Sequence, residues 1–352
     1  MLTLTETAKF VRRGIKIFFL LIFGFFALKI FFSLGTSIWK RISPPAPPPP
    51  TVAFGTLPEI VFPQKVSKDI TFELETIEGK LPKLPSAAKV FLVNQRGANL
   101  LSPERATQKA QEMGFGEPYE KISETVFRWK TLSIPETILE MNINNGNFFL
   151  KYNFENDPEI LIQKNLPNEI QAAQEAKAFL QSNNLLSADL ATGSAQVKFF
   201  KFQAPSLVEM PSLSQADLVK INLFRADIDG FAILPPDPSN SLINFTFSGN
   251  RQRGKRIVEV HYSYSPIERS IFATYPLLPI EKAWEEFKKG NGLIINQTNL
   301  LKVVIRKVYL AYYDSIEPQK FLQPIYVFQG DQGFLGFYPA IDPSWQTQTP
   351  AN

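Results

Sequence analysis

The stretch IFFLLIFGFFALKIFFSLGTSIW, Ile17 to Trp39, is followed by Lys40-Arg41 and then by PPAPPPP, Pro44 to Pro50. As a helix rising 1.5 Å per residue, Ile17–Trp39 extends about 34 Å, enough to cross about 30 Å of hydrocarbon. Lys29 interrupts the run near its middle. A central lysine opposes insertion by about 2.5–3.5 kcal/mol, whereas 15 Ile, Leu and Phe residues favour it by about 0.3–0.6 each, or about 4–9 in total. Insertion wins. Lys29 then either snorkels to the interface or faces a partner helix, which makes it the candidate membrane-partner contact.

Lys9, Arg12, Arg13 and Lys16 precede the run and only Lys40 and Arg41 follow it. The positive-inside bias predicts a cytoplasmic N-terminus and an external C-terminal part. The rival reading is a cleaved signal peptide with an apolar core from Ile17 to Leu28. Ser33-Leu34-Gly35 is a poor cleavage site for it, and no A-x-A follows. Pro44 to Pro50 cannot be helical, because proline lacks the N–H and clashes with the preceding turn. Polyproline II at about 3.1 Å per residue predicts a spacer of about 20 Å, and the stalk is expected over 40–66.

Beyond it, a chain of 352 residues with 44% hydrophobic and 13% aromatic content can bury a core of its own. The net charge is +4, and the six basic residues around the anchor account for it. No global field therefore argues for nucleic acid. There is no cysteine, which excludes disulfides and thiol or thiolate chemistry, and a single histidine, His261, which excludes any mechanism needing two. No cofactor-binding or metal-ligating pattern stands out.

Three helices are predicted. Ser102-Pro103 opens the first, with Ser as N-cap and Pro at the first helical position. Ala106, Ala110 and Met113 form its stripe and Gly114 ends it. The second runs from Asn168 to about Asn183 with Ile170, Ala173, Ala176, Phe179 and Leu180 on one face. The third, Pro279 to Lys289, carries Ile280, Ala283, Trp284 and Phe287. Strands are expected at 121–130, 137–144 and 147–154, with Asn145-Gly146 as a type I′ turn. Others are expected at 195–202, 220–226, 242–248, 256–264, 270–275, 301–312, 323–329 and 334–338. Runs of strands between single helices indicate α+β with antiparallel sheets, arranged as a first unit at 67–165, a second region at 166–345 and a flexible tail at 346–352. The repeated order of helix then meander points to a duplication.

Ile280-Glu281-Lys282-Ala283-Trp284-Glu285-Glu286-Phe287-Lys288-Lys289-Gly290 resembles a helix of extracytoplasmic regulatory proteins of the YycH/YycI type. So do the strands Val308-Tyr309-Leu310-Ala311-Tyr312-Tyr313 and Leu322-Gln323-Pro324-Ile325-Tyr326-Val327-Phe328. The helix-plus-meander units are similar to PepSY-like repeats. The short inside tail, oligoproline stalk and Thr51-Val52-Ala53-Phe54-Gly55 with Leu57-Pro58 also resemble uncharacterised single-pass membrane proteins of candidate-phylum bacteria. The resemblance covers about 50 residues of the last quarter. It implies cystatin-like curved sheets and a non-enzymatic, regulatory or protein-binding role outside the cell, with a sensor kinase as one class of membrane partner.

Local motifs argue for little chemistry. Ser86-Ala87-Ala88-Lys89 spells S-x-x-K and Ser182-Asn183-Asn184 an S-x-N. No K-T-G completes them, Lys130-Thr131-Leu132 being the nearest, and the serine sits before a strand. Asp227, Asp229 and Asp237 lack EF-hand spacing and read as turn residues. His261 shares a strand face with Glu259, solvated or paired. Arg251, Arg253, Lys255 and Arg256 make a basic hairpin tip, the candidate anionic-surface contact. The expectation is a non-catalytic protein of the cell envelope that binds the lipid bilayer and other proteins. A carboxylate-based envelope hydrolase and a structural subunit of a surface or secretion assembly are the alternatives.

Overall fold

The computed structural model describes residues 4–42, 48–63, 70–95, 97, 99–133, 135–252, 254–295 and 302–347. Two units are separated at Pro49/Pro50. The first consists of helix α1, Leu4–Ile42, about 58 Å long at 1.5 Å per residue. Its window Gly14–Gly35 has a mean hydropathy of 2.5, and every residue in it is exposed. A 22-residue apolar helix with no protein packed on any side is long and apolar enough to span a bilayer, and a signal sequence has the same character.

In the second unit, strands from both expected regions join one antiparallel sheet of nine. Its order is Glu120–Lys121, Val126–Lys130, Thr137–Asn142, Phe148–Tyr152, Ile257–Tyr262, Ile243–Ser248, Leu218–Leu223, Ala195–Gln203 and Ser206–Met210. Alternation drives it: Phe127 and Trp129, Leu139 and Met141, Phe148 and Leu150 all point to one face. Helices α2 (Ser102–Glu112), α3 (Glu169–Ser182) and α4 (Ala188–Thr192) cover that face through Ala106, Ala110, Ala172, Ala176, Leu180 and Leu190. The small alanines let helix and sheet approach closely.

The eight-stranded sheet is centred on Lys302–Tyr313 and Phe321–Gly330, flanked by Leu335–Pro339, Ala87–Val93 and Ile267–Pro276. Helix α5, Ile280–Lys288, packs on it, with Phe287 stacked on Phe328 at 4.6 Å and Trp284 tilted against it at 5.2 Å between ring centroids. Antiparallel pairing dominates. Three short parallel pairs depart from the expectation: 71–74 with 302–305, 233–234 with 312–313, and 57–58 with 346–347. Each joins segments far apart in sequence, where no hairpin imposes direction.

Four local readings change. The stripe of α3 is Ala172–Ala176–Leu180, and Ile170 is 70% exposed; Asn168 caps this helix with Gln171 in a capping box. Ser102 is already helical, and its hydroxyl accepts the Asn99 N–H. The 142–147 hairpin has a four-residue loop in which, of the Asn-Gly pair, only Gly146 takes a positive φ (77°). The two-residue turn with both positive φ values is Asp229-Gly230, closed by Ile228 and Phe231. The expected stalk ends early. Val52 N–H donates to Thr274 O, Phe54 stacks on Phe321, and Leu57 is fully buried. Residues 43–47 and 64–66 of that stalk lie outside the described residues, as does 348–352 of the expected tail.

A Cβ on Gly336 would lie 2.2 Å from Phe287 Cζ, inside the fully buried ring beneath α5. Gly336→Ala is expected to destabilise the protein by about 1–3 kcal/mol. Ile170→Ser should stay within about 0.5 kcal/mol of the parent. Urea melts of both variants check the helix and sheet registers together.

Candidate functional site

On the sheet face opposite the helices, cross-strand register lines up a row across seven strands: Arg128, Glu140, Phe149, His261, Asn244, Asn222 and Gln196. Neighbours in such a row stand about 4.5–5.5 Å apart and act as one surface. At the strand ends beside it opens a cleft of about 380 Å³, lined by Glu140, Asn142, Phe149, Asn244, His261 and Ile316 among others.

The charges of this surface are neutralised locally. Glu140 accepts from Arg128 Nε and Nη2 at 2.8 and 2.5 Å. Glu259 meets His261 Nε2 at 3.0 Å. Burial pushes the Glu259 carboxyl up, but the His261 hydrogen bond and nearby cations leave it below the ordinary range. The His261 ring lies 4.5 Å from Phe149 and is 46% exposed on its side chain. At the floor, Asn244 Nδ2 donates to Ser241 O at 2.9 Å, while its Oδ1 is buried without a partner.

Behind the cleft lies an ion network joining the two sheets. Arg225, 5% exposed on its side chain, donates from Nε to Asp189 on α4 at 2.7 Å. Its Nη1 donates to Ser265 O at 3.1 Å and to Asp314 at 3.3 Å. Its guanidinium lies over the Tyr264 ring at 4.6 Å. Asp189 also accepts from Ser187 and Tyr264 hydroxyls at 2.5 and 2.9 Å. Burial pushes the Asp189 carboxyl up, and Arg225 with the two hydroxyls brings it below the carboxylate range. Asp314 has Arg225 alone, at longer range, so burial holds its carboxyl above that range. Tyr264 N–H donates to Asn147 Oδ1 and Asn147 Nδ2 to Ser263 Oγ, both at 3.1 Å, and Asp314 begins the loop carrying Ile316. The network thereby holds both walls of the cleft.

Among the residues singled out by sequence, Lys29 is exposed in α1. Arg251 is exposed and Arg253 lies outside the described residues. Lys255 turns inward to Asp157 at 2.6 Å, where its ammonium and then the Tyr152 hydroxyl hold the Asp157 carboxyl below its usual range. Arg256 grips Glu175 at 2.6 and 2.7 Å and the carbonyls of Asn165 and Ser248. Two members of the expected cationic tip are thus spent on internal pairing. Lys89 of the S-x-x-K pairs with Asp229 at 2.9 Å and covers the Phe272 ring, and Ser182 of the S-x-N donates to Phe179 O. His261 with Glu259 matches its reading. No group of three His, Asp or Glu able to hold a metal occurs among the described residues. Asp189, Arg225 and Asp314 carried no motif, since 36 and 89 residues separate the partners from the arginine. Their one sequence signal is charge at strand ends inside apolar context.

No protein-family model matches the chain, and no curated protein matches it. Among solved structures, it is similar to an uncharacterized protein from Eubacterium rectale ATCC 33656. That likeness has 11% identity over 73% of this chain and 82% of the other, with a TM-score of 0.37.

Arg225→Met would leave two buried carboxylates without their cation and is expected to cost about 3–5 kcal/mol at pH 7. The sign follows from Asp189. Its depressed carboxyl stabilises the fold above the unfolded value of about 3.9, and this is lost as pH falls through the folded value. In the variant, both carboxyls regain neutrality on protonation. The difference between parent and variant should therefore shrink as pH falls, starting above about pH 4 where the variant's buried carboxyls take up protons and continuing through the parent's depressed Asp189, as read by urea melts across pH.

Proposed function

We propose that the chain is a single-pass membrane protein whose N-terminus faces the cytoplasm and whose second unit works outside the membrane as a non-catalytic binding domain. The observation that carries this is α1: a predominantly apolar 22-residue window exposed along its whole length, a surface that lipid or another membrane helix satisfies. The excess of Lys and Arg before Ile17 supports the orientation. The second unit is read as PepSY-like, with curved sheets of cystatin type. The order of helix then antiparallel strands after Ser102 and again after Asn168 supports that reading. On it the protein is regulatory or protein-binding, and Lys29 is the side chain with which a partner helix, such as that of a sensor kinase, engages. The neutralised, shallow cleft and a carboxylate pair tied to Arg225 favour binding over hydrolysis.

Protease added to intact cells is expected to remove a C-terminal tag and spare an N-terminal one. A photocrosslinking residue at position 149 of the full chain, irradiated in living cells, is expected to yield an adduct with an envelope component that position 170 does not give. A shielded C-terminus, or no adduct at 149, would overturn the reading.

A further inference from the structure

We infer that the cleft above Phe149 and His261 binds an uncharged carbohydrate, a pyranose unit of an envelope glycan; this rests on the extracytoplasmic binding role proposed above. The inference starts from what the surface withholds. Glu140 is paired with Arg128, and Glu259 has a hydrogen bond to His261, so both carboxylates beside the cleft already have partners. Neutral polar groups line the rest: the amides of Asn142 and Asn244, the Ser263 hydroxyl and the imidazole of His261. Such donors and acceptors suit hydroxyl groups, which both donate and accept.

Two features make the cleft more than a polar surface. Phe149 and His261, tilted 41° to each other with centroids 4.5 Å apart, present an apolar step on an otherwise polar sheet face. Ile316, 58% exposed, borders it from the β-loop that follows Asp314. A pyranose has the matching duality, a ring face of C–H groups and a rim of hydroxyls. In addition Asn244, 6% exposed, carries an Oδ1 with no partner, in a lining residue of the cleft. An orphan buried acceptor of this kind costs about 1–3 kcal/mol. Asn147 is already committed to Ser263 and Tyr264, so it positions the wall and is not a ligand contact. At about 380 Å³ the cleft lies near the lower end of the 300–1,000 Å³ range of ligand sites, a size for one or two sugar rings.

The test uses the full chain in lipid nanodiscs. Calorimetric titrations compare uncharged tetrasaccharides (cellotetraose, maltotetraose and chitotetraose), the anionic hyaluronan tetrasaccharide, and an uncharged extended hexapeptide. Binding of at least one uncharged tetrasaccharide is expected, with hyaluronan and peptide failing. Phe149→Ala should weaken it about tenfold, the loss of one aromatic contact. His261→Ala should weaken it also, and Ile170→Ser, on α3 beyond the other sheet face, should leave it unchanged. Phe149 and His261 are both partly exposed, and a thermal melt of each variant confirms folding. Binding of only hyaluronan or the peptide, of none of the five probes, or binding indifferent to Phe149→Ala overturns the inference. A protein adduct at position 149 in cells would also sink it while leaving the extracytoplasmic reading intact. A shielded C-terminus would sink that reading without touching sugar binding in nanodiscs.

Discussion

Arg225 is one positive charge placed where two sheets, a short helix and a long loop converge, and its guanidinium is nearly removed from water. A buried arginine persists only if its desolvation is repaid by partners of good geometry, and the partners here come from different sheets. Asp189 belongs to the helical layer of the nine-stranded sheet and Asp314 to the end of the central strand of the other. Such a bridge contributes little net stability against a well-packed apolar substitute. What it supplies is direction: apolar contacts tolerate sliding, whereas a guanidinium held by Asp189, Ser265 O and Asp314 tolerates almost none. Gly193 belongs to the same constraint. A Cβ there would lie 1.9 Å from Phe224 O and 2.8 Å from Asp189 O, so α4 comes this close to the 218–223 strand only without a side chain.

The asymmetry of the two carboxylates follows from the same geometry. Asp189 receives a short Arg225 bond, two hydroxyls and the Leu190 N–H, and stays ionised despite burial. Asp314 faces the longer bonds of Nη1 and is held toward its neutral form. One carboxylate therefore balances the arginine and the other adjusts to it, which limits how much uncompensated charge the interior carries. A hydrolytic pair would need both carboxyls facing a solvent-open cleft. Here they face one guanidinium.

Much of the fold was legible in the sequence because the relevant signals are local. The apolar run of α1, the alternation of Thr137–Asn142 and Phe148–Tyr152, and the Ile280-Ala283-Trp284-Phe287 stripe each span few residues. Errors came where competing local signals were near equal. On α3 the expected face holds at Ala173, Ala176, Phe179 and Leu180, which pack on the core, whereas Ile170 is exposed and Ala172 is buried in its stead. At Asn145-Gly146 the turn dipeptide was recognised but not the loop length, which the register of Met141 with Phe148 decides. The basic tip was read from charge alone, and nothing in 251–256 announces Asp157 or Glu175 as partners from outside the hairpin. The candidate site was the least legible part. Its row is assembled by register between residues as distant as Arg128 and Asn244, and pairing of that kind has no footprint in a linear pattern.

The same register explains how a polar cleft coexists with a stable sheet. The 243–248 strand is buried along its whole length, yet only Ile243, Phe245 and Phe247 belong to the apolar core. Asn244, Thr246 and Ser248 face the other way; Asn244 Nδ2 donates to Ser241 O and Ser248 Oγ to Lys255 O, while Asn244 Oδ1 has no partner. The polar face carries a local cost at Asn244 that the aromatic core on the helix side readily absorbs. The strand thus separates its side chains by parity, apolar packing on odd positions and hydrogen-bonding groups on even ones, and Asn244 on the even side lines the cleft that Ile316 borders.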